Sequence, residues 1–174
     1  MALGASGVAQ GQSADSLPVC SVSSADTAGW MSTVIFDLGL EVRHPAAYRR
    51  KTWETSSSGR VPSVNEFWLG GSPGTSVTID VSAGPPPASV RAAQRARTHS
   101  CSLDTRSGRG QLLMEEQRSW NGSGWVPVLL FRLRVATGRA NEVVELTGIA
   151  PDSASQSGQI AMAQSIRLLS VRPD

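Results

Sequence analysis

Two histidines are the natural candidates for a catalytic base in this chain of 174 residues. His44 stands before Pro45, and His99 lies two residues before Cys101. Residues 70–74 read Gly-Gly-Ser-Pro-Gly and match the G-x-S-x-G nucleophile motif by letter, but that motif needs a following helix and the pattern here predicts a strand. We therefore find no catalytic signature and predict that the protein is not an enzyme. A small hydrolase that uses His44 or His99 is the alternative.

A metal site is conceivable around His99, Cys101 and Asp104, because side chains two apart on a strand face the same way. A structural zinc ion is coordinated by four ligands, and the sequence around these residues does not contain a fourth candidate. We predict no metal and no cofactor. Glu115 and Glu116 are neighbours, and neighbours in a strand point to opposite faces, so they do not predict a carboxylate pair for acid/base chemistry.

Arginine clusters could bind anions if the fold brings them together. The candidate residues are Arg49, Arg50, Arg91, Arg95 and Arg97. A converged basic surface attracts phosphates or anionic headgroups. The formal net charge is only +2, however, so anion or nucleic-acid binding is a further alternative and nucleic acid is not the partner we expect.

The two cysteines, Cys20 and Cys101, lack the C-x-x-C spacing of zinc or redox sites. We predict one structural disulfide, and two buried thiols are the alternative. Residues 1–29 contain no Lys or Arg and resemble the end of a signal peptide or a polar tail. Because structural disulfides persist in oxidising compartments, we predict a secreted or periplasmic bacterial protein. Residues 1–29 are then a flexible tail or signal-peptide remnant, and residues 30–174 form a single domain.

Four tryptophans, Trp53, Trp68, Trp120 and Trp125, could stack on a ligand, although burial in the core is their commoner fate. Asn121-Gly122 predicts a hairpin turn, and together with Ser123 it also matches a glycosylation acceptor.

Alternation and turn signals predict the elements that must position these residues. The predicted strands are 38–43, 51–55, 64–69, 77–81, 111–118, 125–135 and 141–148, and the predicted helices are 88–98 and 153–169. The most apolar run, 126–131, is expected in the middle of the sheet, and Asp152 or Ser153 is expected to cap the last helix. No apolar run is long enough to cross a membrane. The order of elements predicts an α+β fold: a three-layer α/β/α sandwich with a central, mainly antiparallel sheet of about six or seven strands.

Two segments resemble the PsbP-like superfamily. The sequence of 39–48, Gly-Leu-Glu-Val-Arg-His-Pro-Ala-Ala-Tyr, is similar to its entry strand, except that His44 stands where an aromatic residue is more usual. The sequence of 160–166, Ile-Ala-Met-Ala-Gln-Ser-Ile, is similar to its final helix. The resemblance covers roughly residues 33–170 and implies an antiparallel sheet between helices. The superfamily includes photosystem-binding proteins and the Ran-binding Mog family, but the resemblance implies no activity and no site residues.

We therefore expect an exported, non-catalytic binding or assembly domain that presents a surface to a protein partner. A hydrolase would instead need a pocket with a histidine beside a nucleophile, and an anion-binding protein would show steep salt dependence.

Overall fold

A computed structural model describes residues 17–22, 25–53, 64–69, 75–83, 98–138 and 142–169. Within these residues the chain forms two antiparallel sheets and one α-helix, an α+β fold in which strands predominate. The elements are β1 (Met31–Ile35), a 3-10 turn (Phe36–Leu38), β2 (Leu40–His44), β3 (Tyr48–Trp53), β4 (Val64–Leu69), β5 (Ser76–Ala83), β6 (Thr98–Thr105), β7 (Gly108–Trp120), β8 (Trp125–Ala136), β9 (Glu142–Ala150), α1 (Ser153–Gln164) and β10 (Arg167–Leu168).

The larger sheet has seven strands in the order β3-β4-β5-β9-β8-β7-β6, and every neighbouring pair is antiparallel. The prediction of a mainly antiparallel sheet of six or seven strands is confirmed. Strands β7, β8 and β9 form consecutive hairpins, as their short connections require. The smaller sheet has the order β1-β2-β10.

One face of the larger sheet is apolar and forms the floor of the core, because side chains alternate between the two faces of a strand. The smaller sheet and α1 cover this face. Buried core side chains of the larger sheet are Phe67, Val77, Ile79, Leu112, Phe131, Leu133, Val144 and Leu146; those of the cover are Ile35, Leu40, Val42, Ile160, Met162 and Ile166.

Helix α1 begins with the predicted cap: the Asp152 carboxylate accepts a hydrogen bond from the Ser155 N–H at 2.8 Å. The predicted length of this helix was wrong, since it ends at Gln164 and not near residue 169. The hydroxyl of Ser165 accepts a hydrogen bond from the Arg43 N–H at 2.8 Å, and the chain then pairs with β2 as β10. In the described residues no helix is long and apolar enough to cross a membrane.

The sequence patterns did not predict β1, β6 or the separation of a second sheet. Residues 88–97 of the other predicted helix, and residues 70–74, lie outside the described residues, and Thr98 already begins β6. The third layer of the predicted sandwich therefore stays a prediction. The described layers are the large sheet and, on its apolar face, α1 with the smaller sheet.

The outer edge of β6 pairs with a segment that precedes the sheets. The N–H of Cys20 donates to the Ser102 carbonyl and the N–H of Ser102 donates to the Pro18 carbonyl, both at 2.8 Å. The structure contains the predicted disulfide between Cys20 and Cys101, with their Cα atoms 5.0 Å apart. The disulfide thus ties this segment to the sheet beside the bonds that cover its edge.

Replacing both cysteines, Cys20→Ser with Cys101→Ser, should lower the free energy of unfolding by about 4 to 5 kcal/mol, because the disulfide closes a loop between residues 81 apart and restricts the unfolded chain. Urea denaturation followed by circular dichroism measures the change. Ser21→Ala, an exposed neighbour, is the control and should leave the midpoint unchanged. An unchanged midpoint in the double variant would contradict the prediction.

Gly148→Ala should destabilise the fold by about 1 to 3 kcal/mol, since a Cβ there would lie 2.0 Å from Cε1 of Phe131 and 2.7 Å from Oε1 of Gln159. Gly158→Ala on α1 is the matched control. Its Cβ meets no atom within 4 Å, so the better helix former should stabilise the protein by about 0.5 to 1 kcal/mol. Thermal denaturation of the two variants should give shifts of opposite sign, and equal shifts would refute this packing argument.

Candidate functional site

Among the described residues, the hairpin of β7 and β8 extends beyond the strands on either side of it. Pairing of β6 with β7 begins at Glu115, and pairing of β9 with β8 ends at Leu129. In the described part of the chain, residues 116–120 and 125–128 therefore pair only within their own hairpin. We call residues 116–128 the arm. Five residues of strand correspond to a projection of about 17 Å.

The tip of the arm carries two tryptophans opposite each other. Trp120 pairs with Trp125, and their ring centroids lie 6.0 Å apart in an edge-to-face arrangement. Trp120 is 57% exposed and Trp125 is 59% exposed. Neither side chain is buried, although tryptophan is more often buried in the core of a protein.

The turn of the arm is held by Asn121, in agreement with the predicted Asn-Gly hairpin. The Asn121 side-chain oxygen accepts hydrogen bonds from the N–H groups of Ser123 at 3.0 Å and Gly124 at 2.9 Å, and Gly122 has a positive φ of 95°. The glycosylation-acceptor match at Asn121 lies on an exposed turn. These bonds fix the turn and with it the relative position of the two tryptophans.

The two tryptophans lie on the extension of the core face. Along β7, Trp120 and Arg118 alternate in phase with the buried Leu112, and along β8, Trp125 and Pro127 alternate in phase with the buried Phe131. Of the apolar run 126–131, predicted in the middle of the sheet, residues 129–131 pair with both β7 and β9, whereas among the described residues 126–128 pair with β7 alone. Val128, on the opposite face from the tryptophans, is nevertheless buried. Apolar side chains outside the covered sheet are available for contact with another molecule.

His44 occupies a structural position. It is 3% exposed, its Nε2 lies 2.8 Å from Oγ1 of Thr33, and its Nδ1 lies 2.9 Å from the Pro45 carbonyl oxygen. The ring also lies against Phe67, with centroids 5.0 Å apart. Both ring nitrogens thus have partners inside the fold, which is the arrangement of a satisfied buried histidine.

His99 and Cys101 do not share a ligand geometry, since Cys101 is bonded to Cys20 and His99 is exposed. A thiolate is therefore not available to bind a metal at this position. Among the described residues, no three His, Cys, Asp or Glu side chains are grouped so as to hold a metal ion.

The predicted arginine cluster is only partly described. Arg49 and Arg50 are exposed neighbours on the edge strand β3, and neighbours point to opposite faces. Nε of Arg50 donates to Oδ1 of Asn65 at 2.8 Å. Charges on an edge strand disfavour pairing with another chain. Arg91, Arg95 and Arg97 lie outside the described residues, so anion binding by the five arginines stays a prediction.

A group of charges lies on the face of the larger sheet opposite the core. Glu145 is the common partner of two arginines: Nε of Arg132 lies 3.3 Å from its Oε1, and Arg134 also forms an ion pair with it. Asp80 stands directly opposite Glu145 on the neighbouring strand. Burial, followed by the charge of Glu145, raises the pKa of Asp80 above its ordinary value, and the two arginines oppose this only in part. Two arginines and two carboxylates compensate one another, so this group does not form an anion site.

Comparison with known proteins shows a fold and no close relative. No family model matches the sequence, and no curated protein matches it. The fold is similar to that of the Ran-binding protein Mog1p of Saccharomyces cerevisiae, with a TM-score of 0.51 and 8% identity over 81% of this chain and 96% of Mog1p. It is also similar to a Bacteroides thetaiotaomicron protein, with a TM-score of 0.50 and 8% identity over 79% of this chain but only 47% of that protein. Cyanobacterial PsbP from Synechocystis aligns with a TM-score of 0.45 and 11% identity over 84% of this chain and 98% of PsbP. The similarity to Mog1p confirms the predicted resemblance at the level of the fold.

Asp80→Asn should raise the thermal midpoint at neutral pH. The pKa of Asp80 is higher in the folded protein than in the unfolded chain, where it is about 3.9. Below the unfolded pKa, Asp80 is protonated in both states and does not weaken the fold. As the pH rises through the folded pKa, Asp80 becomes charged in the folded protein and stability is lost. The amide removes the destabilising charge, so its advantage should be present at neutral pH and should vanish in acid. Glu116→Gln, at an exposed carboxylate, is the control. A midpoint at neutral pH that is unchanged or lower in Asp80→Asn would contradict this reasoning.

Proposed function

We propose that this chain is a non-catalytic binding or assembly domain that uses the arm to contact a protein partner. The observation that carries the proposal is the exposed pair Trp120 and Trp125 at the end of an ordered hairpin that projects from the sheet. Tryptophan is among the residues that contribute most to protein interfaces, because it buries a large area at little cost in side-chain entropy.

The arm is suited to this role because its conformation is set before contact. The Asn121 turn bonds and the edge-to-face indole pair hold the tip without help from a partner. Pre-organisation reduces the entropy lost on binding. The hydrolase alternative, with His44 or His99 as the base, has less support at His44, because both ring nitrogens of His44 already have partners inside the fold.

We propose an oxidising compartment, the periplasm or cell exterior, as the place of action. The disulfide between Cys20 and Cys101 supports this location, because reducing compartments keep most thiols free. The fold is compatible with a binding role: Mog1p, which has a similar fold, is described as a Ran-binding protein. At 8% identity that likeness concerns the fold alone, so the partner of Mog1p is not proposed for this chain.

The test compares partner capture by the full chain and by arm variants. The immobilised wild-type protein should retain a specific partner from extracts of its source cells, and the variant Trp120→Ala with Trp125→Ala should lose at least nine tenths of it, since central aromatic anchors dominate interface energies. Quantitative mass spectrometry of the retained proteins measures the loss. Thermal denaturation checks that the variant remains folded.

Phe36→Ala is the matched control, because Phe36 is an aromatic residue that is 73% exposed and lies on the 3-10 turn outside the arm. It should retain the partner. If the arm variant stays folded and retains the same partner as wild type, the arm is not the binding site. If purified protein hydrolyses ester substrates and either His44→Gln or His99→Gln abolishes that activity in a folded protein, the non-catalytic proposal is wrong.

A further inference from the structure

We infer that the arm recognises an acidic segment of its protein partner, with an apolar side chain against the tryptophan pair and a carboxylate on Arg118. This inference rests on the proposed function and adds the chemistry of the partner. It follows from the place of Arg118 beside the tryptophan pair, from the N–H groups of Arg118 that have no partner among the described residues, and from the backbone edge of β8.

The backbone of the arm is poorly suited to adding a strand along the β8 edge. Pro127 has no N–H group to donate, and the carbonyl oxygen of Trp125 already accepts a hydrogen bond from Nη2 of Arg118 at 3.1 Å. Proline and occupied backbone groups protect a strand edge from pairing with another chain. Recognition on this side of the arm therefore depends on side chains.

The side chains on the core-side face of the arm combine two apolar rings with one cation. Trp120, Trp125, Arg118 and Pro127 share this face. An indole ring next to an arginine disfavours a cationic partner, although isolated indoles attract cations. An apolar side chain such as proline or leucine is the group that the rings can bury without leaving a polar atom unpaired.

The charge of Arg118 is available for a partner. Among the described residues it forms no ion pair, and its hydrogen bond to the Trp125 carbonyl oxygen uses only one of the five N–H groups of a guanidinium. Between residues 117 and 128 the sequence has no other charged side chain. Glu116 lies on the same face at the base of the arm and repels carboxylates there. A partner carboxylate is therefore favoured beside Arg118, where two N–H groups can bind it together.

The experiment selects peptides on the full chain from a random peptide display library, with the folded Trp120→Ala and Trp125→Ala double variant as the counter-selection. Selected peptides should be enriched in Asp or Glu close to an apolar residue. Their affinity should fall about two- to fivefold in Arg118→Gln and should also fall with rising salt, because the ion pair is exposed at the rim of the contact.

Arg109→Gln is the matched control, since Arg109 is an exposed arginine at the opposite end of β7. The Arg109→Gln protein should bind the selected peptides with the affinity of wild type. The inference would be overturned by peptides whose binding requires the tryptophans, that contain no acidic residue and that bind Arg118→Gln as tightly as wild type. That result would leave the proposed function unchanged. A selection that yields no tryptophan-dependent peptide would overturn both.

A membrane surface is the competing partner, because tryptophan and arginine also favour the interface of anionic bilayers. Fluorescence of the protein is therefore measured with phosphatidylglycerol vesicles. A tryptophan-dependent blue shift with vesicles, together with failure of the peptide selection, would assign the arm to lipid and contradict the acidic-segment inference. No shift is the result we expect.

Discussion

The structure depends on the burial of one face of a seven-stranded sheet beneath α1 and the smaller sheet. That cover has a limited extent: α1 has only 12 residues and begins next to the end of β9. Strands β7 and β8 have 13 and 12 residues and extend beyond the described residues of their neighbours β6 and β9. The same alternation that buries Leu112 and Phe131 must then place Trp120 and Trp125 on an uncovered face. The exposed pair is a direct consequence of strand length.

The remaining polar interactions hold this arrangement in register. Ser165 joins the end of α1 to β2, and the segment before the sheets covers the edge of β6, where Cys20 is bonded to Cys101. On the other face of the sheet, ion pairs to Glu145 link β8 with β9. Burial of the core supplies most of the stability of the fold, and the disulfide adds to it by restricting the unfolded chain. The proposed contact site, the tip of the arm, lies outside this covered region.

Local patterns predicted what local physics determines. The Asn121-Gly122 turn, the Asp152 cap and the period-two strands appear where expected, because turn conformation, capping and alternation depend on neighbouring residues. The second sheet was missed, because whether β1 and β2 join the main sheet is decided by long-range packing. The exposure of the tryptophans was missed for the same reason. The pairing of Trp120 with Trp125 also depends on the turn being four residues long, 121–124, because a two-residue Asn-Gly turn would pair Trp120 with Ser123 instead.

The central claim is that the arm is an ordered extension of the sheet that holds its tryptophan pair exposed before any partner binds. Nuclear magnetic resonance relaxation of the free protein tests it most directly. We expect backbone order parameters of about 0.85 across the arm, equal to those of rigid strands, with nuclear Overhauser contacts between the two indole rings. Order parameters below about 0.6 in the arm, without contacts between the rings, would contradict the claim.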